Sequence, residues 1–133
     1  MSAPADLVAA AFPYDGPHTP ERVAAAAETV GDLLRYLANA TRSRGAIPSS
    51  PDLGAVLSHL SVVGPRLAQV LQQLDDAAER IAGSPTLYDD RGEDARHTAV
   101  SAASACGEAA RTAYLLAESI DDAHQLAARL GHR

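Results

Sequence analysis

Apolar residues recur every three or four positions through most of this chain, and the longest such run is C-terminal. Between Glu93 and Leu130 there is no proline and one glycine, Gly107. Wound at 3.6 residues per turn, Ala99, Ala103, Cys106, Ala110, Ala113, Ala117, Ile120 and Ala127 fall on one line, while Glu108, Arg111, Glu118 and Asp122 fall opposite. This predicts a helix over 93–130 whose apolar face is wide enough to touch two neighbours. Because alanine dominates that face, Ala103, Ala110 and Ala117 are expected where two backbones come close.

Two earlier runs show the same period. Thr19-Pro20-Glu21 reads as an N-cap, a proline at the first helical position and an acid in the first turn. Val23, Val30, Leu33, Leu34 and Leu37 share a side, and the helix is expected over 19–44, closed by Arg42, Arg44 and a C-cap glycine, Gly45. Ser50-Pro51-Asp52 repeats the opening for a helix over 51–82. Leu53, Leu57, Leu60, Leu67, Leu71 and Leu74 keep one phase across Gly64-Pro65. One helix kinked there is expected, with two separate helices as the alternative.

Short connections make neighbouring helices antiparallel. The expected fold is therefore all-α: an antiparallel bundle of three long helices forming one domain over 1–133. Residues 1–18 would lie across it as a lid, with Phe12 and Tyr14 tucked against it. The last helix outruns the first by several turns, so part of its alanine face is expected to lack an intrachain partner, unless residues 1–18 cover it.

Composition changes this picture in a few respects. Hydrophobic residues make up 47% of the chain, with one Phe, one Met and no Trp, and nearly half of them are alanine. An alanine core buries less area per residue, at roughly 25 cal/mol per Å², so modest stability as a monomer and a gain on self-association are expected. The net charge is −6 and all 11 basic residues are arginine. That balance disfavours non-specific nucleic-acid binding. Cys106 is the only cysteine and lies on the apolar line, so no disulfide framework is expected and its thiol should be buried and inert. No stretch approaches the roughly 20 apolar residues of a membrane span, and the expected location is the cytoplasm.

Candidate chemistry is sparse. Asp121-x-x-His124 has the spacing of the carboxylate-x-x-His pair of helical di-iron sites, and Asp15-x-x-His18 and Asp94-x-x-His97 share it, but such a site needs two further acids facing inward. A packing histidine is the better reading. No phosphate-binding glycine loop and no glycine-flanked serine elbow occurs. Arg35, Asn39 and Arg42 share one face, with Arg44 just beyond, and could dock a carboxylate or phosphate; the simpler reading pairs Arg35 with Asp32 and leaves Arg42 and Arg44 at the helix end. His59, Arg66, Gln73 and Arg80 recur every seven residues beside a hydrophobic seam, the place of coiled-coil flanking residues that choose a partner. Alternatively, Arg80 simply pairs with Asp76.

Tyr14-Asp15-Gly16-Pro17-His18-Thr19-Pro20-Glu21-Arg22-Val23, with Leu34-Arg35-Tyr36-Leu37-Ala38-Asn39-Ala40-Thr41-Arg42 and Tyr88-Asp89-Asp90, resembles a group of small uncharacterised alanine-rich helical proteins of high-GC actinobacteria. That resemblance carries no known activity. It implies a source, and that the Tyr14 segment and the Arg35 patch lie together.

The function expected is a non-catalytic protein–protein interaction or assembly module acting through helix faces, as a homo-oligomer, a dimer by preference, or with another protein. Tyr14, Arg35, Asn39, Arg42, Arg44, His59, Arg66, Gln73 and Arg80 are its candidate partner-binding residues. One alternative is a DNA-associated accessory protein using Arg35, Asn39, Arg42 and Arg44. The other is a small-ligand or metal-binding bundle around His124 and Tyr114. No catalytic residue, metal ligand or cofactor is assigned.

Overall fold

The computed structural model describes residues 2–131, and their regular structure is entirely helical. The order is α1 (Ala3–Ala11), α2 (Pro20–Ala40), a 3₁₀ turn (Arg44–Ala46), α3 (Ser50–Leu60), α4 (Val63–Ala82) and α5 (Ala95–Ala127). By internal packing the chain divides into two compact units, Met1–Ile47 and Pro48–Arg133. No helix among the described residues is long and apolar enough to cross a membrane.

In the first unit, Thr19 caps α2 as expected: its Oγ1 accepts the N–H of Arg22 at 3.2 Å, and Pro20 takes the first helical position. The helix ends at Ala40, four residues short of the expected Arg44. Thr41 Oγ1 donates back to the Leu37 carbonyl at 2.7 Å, and Gly45 lies inside the 3₁₀ turn instead of forming the helix cap. Val8 and Phe12, from the segment before α2, line one open cavity of about 320 Å³ together with Val23, Ala26, Val30 and Leu33. Of the two lid aromatics, Phe12 is half-buried. Tyr14 is 81% exposed and is not tucked in.

The second unit is a hairpin in which α3 and α4 run back along α5. Gly64 stands against Ala113 and Ala117, and Asp75 against Gly107, so numbers rise along α4 as they fall along α5. The two helices are antiparallel. At the far end Ser50 Oγ donates to the Leu130 carbonyl at 3.5 Å, and Leu53 and Leu57 line a groove with Ala123, Leu126 and Ala127. The alanine line of α5 is therefore covered first by α4 and then by α3. Ala102, Ala105 and Ala123 on the flank of that face stay exposed.

The middle helix is two helices, not one kinked at Gly64-Pro65. The break falls at Ser61-Val62, where α3 ends with the Ser61 N–H on the Leu57 carbonyl at 2.9 Å and α4 begins anew at Val63. Pro65 thereby sits in the first turn of α4, where its missing N–H would have had no intrahelical partner. Both pieces keep the same pairing with α5, which is why the apolar phase runs unbroken through the sequence. The N-cap of α3 is Ser49, one residue before the expected position; its hydroxyl donates to Asp52 at 2.5 Å.

The last helix begins at Ala95, capped by Asp94, whose carboxylate accepts the N–H groups of Arg96 at 3.0 Å and His97 at 3.4 Å. Its core line is where the sequence placed it. Ala103, Ala110, Ala113 and Ala127 are buried, as are Gly64, Ala68 and Ala82 on α4. Cys106 shares the line but is half-buried, more open than expected.

Candidate functional site

The described core consists of small residues, and no large side chain among them is fully buried. Scattered exposed leucines are ordinary, but a continuous apolar line is informative. On α4 the residues turned to α5 are Gly64, Ala68, Leu71, Asp75, Ala78 and Ala82, a strict alternation of fours and threes. A second line of the same period, Val63, Leu67, Val70, Leu74, Ala77 and Ile81, lies about a quarter-turn away. Its large members are 37–52% exposed. Leu60 on α3 extends it.

A second line runs along α5 through Ala102, Ala105, Ala109, Thr112, Leu116, Ser119, Ala123 and Leu126, apolar except at Thr112 and Ser119, with Leu116 48% and Leu126 59% exposed. On each helix the open line sits one residue before the buried one: Leu67 before Ala68, Ala109 before Ala110. In an antiparallel pair an equal offset of this kind brings both open lines to the same side. The hairpin thus presents one apolar groove flanked by two edges.

The sequence-predicted residues divide between the two units. His59, at the end of α3, and Arg66, Gln73 and Arg80, on α4, are all exposed and form the outer edge of the groove beside Leu67 and Leu74. Arg80 makes no ion pair with Asp76, nor Arg35 with Asp32; the ion pair among the described residues joins Arg111 to Glu108.

In the first unit Arg35 and Asn39 lie on α2, Arg42 in the turn after it and Arg44 in the 3₁₀ turn, all exposed. Tyr14 lines the cavity bounded by Arg22 and Leu33, and Arg35 is not among the residues around it.

The groups considered for ligand binding are spread out. His124 is half-buried on the core line of α5, whereas the Asp121 carboxylate accepts the Gln125 side-chain N–H at 2.8 Å. Tyr114 is 47% exposed. One cluster escaped sequence reasoning: the carboxylates of Asp75, Asp76 and Glu79 lie within 4.8 Å of one another. Its signal was the i, i+1, i+4 spacing of three acids on one helix, but exposed acidic groups of this kind are common on solvated helix faces.

Hydrogen bonds hold Asp89 below its ordinary range. Its carboxylate accepts Thr98 Oγ1 at 2.6 Å and the Arg91 N–H at 2.7 Å, and these bonds lower its pKa against a smaller opposing effect of burial. They tie the 83–94 connection to the first turn of α5. That is structural work.

In comparison with known proteins, no family model, no curated protein and no solved structure matches the chain.

Proposed function

We propose that this protein is a non-catalytic interaction module that receives helices of a partner chain in the groove between α4 and α5. The observation that carries the reading is the exposed apolar line of α4, of strict coiled-coil period, with the apolar line of α5, interrupted at Thr112 and Ser119, on the same side of the hairpin. A line of half-exposed Leu, Val and Ile four turns long is what a helix-in-groove site offers to a partner. The exposed row of His59, Arg66, Gln73 and Arg80 supplies the polar flank that selects orientation.

Affinity capture with the wild-type chain and with Leu74→Glu, run side by side, tests this. A partner, the chain's own second copy included, should be retained by the wild type and lost by the variant. Equal retention by both would remove the groove from the reading.

A further inference from the structure

We infer that Asp75 and Gly107 form the key that fixes the register of α4 on α5. The inference concerns the inside of the hairpin and stands whatever occupies the outer groove.

A key is needed because most of the seam does not distinguish one level from the next. Gly64 against Ala117 and Asp75 against Gly107 put Ala68, Leu71 and Ala78 level with Ala113, Ala110 and Ala103. A slip of one turn, about 5.4 Å, moves each of them three or four residues along α5. Ala68 then meets Ala110 or Ala117, Leu71 meets Gly107 or Ala113, and Ala78 meets Ala99 or Gly107. All of these are small. The alanines that permit the close approach therefore do not choose between registers, and the connection over 83–94 is long enough to follow such a slip.

Asp75 is the exception. It is the charged member of the α4 line turned to α5, and it is half-buried. A Cβ on Gly107 would stand 3.2 Å from its Oδ2, so the side chain crosses the α5 backbone at the place where a side chain is missing. Gly107 is the only glycine of α5 and lies in its interior, where glycine is unfavourable. By crossing there the carboxylate reaches the open side of α4, within 4.8 Å of the exposed carboxylates of Asp76 and Glu79. One turn either way it would press on Ala103 or Ala110, which are 1% and 2% exposed. Alanine offers a carboxylate no hydrogen bond, and burying the charge unpaired is costly. A lone polar residue in an apolar seam selects register in this way, at some expense of stability.

Methyl NMR on the full chain reads the register directly. In the wild type the Ala78 methyl should show contacts to Ala103. In Asp75→Ala a second set, to Ala99 or Gly107, should appear as slipped hairpins become populated. A double-mutant cycle in urea reads the pair itself. In the Asp75→Ala background, Gly107→Ala should raise the folding equilibrium constant by up to about fivefold, the ordinary gain in helix propensity. Beside the native Asp75 that gain should be smaller by at least about threefold. Neither variant adds more than one methyl to the seam, so both are expected to fold. An unchanged single set of Ala78 contacts in Asp75→Ala would overturn the register role, and an equal effect of Gly107→Ala in both backgrounds would overturn the pairing.

Discussion

A Cβ placed on Gly64 would stand 2.7 Å from the Cβ of Ala117 and 2.8 Å from the carbonyl oxygen of Ala113. The two helices of the hairpin approach too closely here for any side chain on α4. Gly64→Ala gains up to about 1 kcal/mol of helix propensity but must push back a backbone carbonyl, which no rotamer change can move. Overpacking of this kind costs about 1–3 kcal/mol, so a net loss is expected in urea or thermal unfolding. Gly31→Ala on α2 serves as the control. Nothing lies within 4 Å of its added Cβ, and it should gain up to about 1 kcal/mol.

How much of this was legible in the sequence depends on what each signal encodes. Period encodes phase, so the alanine line of α5 and the seven-residue row from His59 to Arg80 could be read directly. Phase does not encode hydrogen-bond continuity. Because α3 and α4 keep the same pairing with α5, nothing in the spacing marks the break at Ser61-Val62. The sequence also merged two lines on α4, placing Leu67 and Leu74 in one phase with Leu71; only the geometry tells that Leu71 packs against the core while Leu67 and Leu74 stay open. Thr19 and Asp94 declared their helix starts through cap chemistry. The end of α2 was misjudged because arginines and a glycine also suit the turn that follows it.

Pro65 offers a direct test of that break. A proline inside a continuous helix costs about 3 kcal/mol relative to alanine, so replacing it there would yield a gain of that order. In the first turn of α4 the missing N–H costs almost nothing, and proline restricts the unfolded chain by about 0.4–1 kcal/mol. Pro65→Ala is therefore expected to change unfolding free energy by less than about 1 kcal/mol, measured by urea titration.

Ala110 tests the alanine packing away from Gly64. It is 2% exposed and clusters with Ala68, Ala113 and the partly buried Leu71. Ala110→Leu adds volume where two backbones meet, and a destabilisation of about 1–3 kcal/mol is expected. The same change at Ala128, exposed just past the end of α5, should fall within about 0.5 kcal/mol. Similar losses at both sites would mean that α5 is not packed through its alanines.

Asp89 gives the pH dependence. Thr98 Oγ1 and the Arg91 N–H donate to its carboxylate, favour its charged form and hold its pKa below the ordinary value of 3.8. The folded chain therefore binds this proton less readily than the unfolded one. The resulting stability is complete above the unfolded carboxylate pKa and is lost as pH falls through the lower folded value. Thr98→Val removes the largest of the favourable effects on the Asp89 carboxylate, so the folded pKa of Asp89 should rise and part of the acid-side slope should vanish, with the cost of the substitution greatest near neutral pH and smallest in strong acid. Thermal melts of wild type and variant across the acid range check this, and a cost that is independent of pH would separate Thr98 from the Asp89 carboxylate.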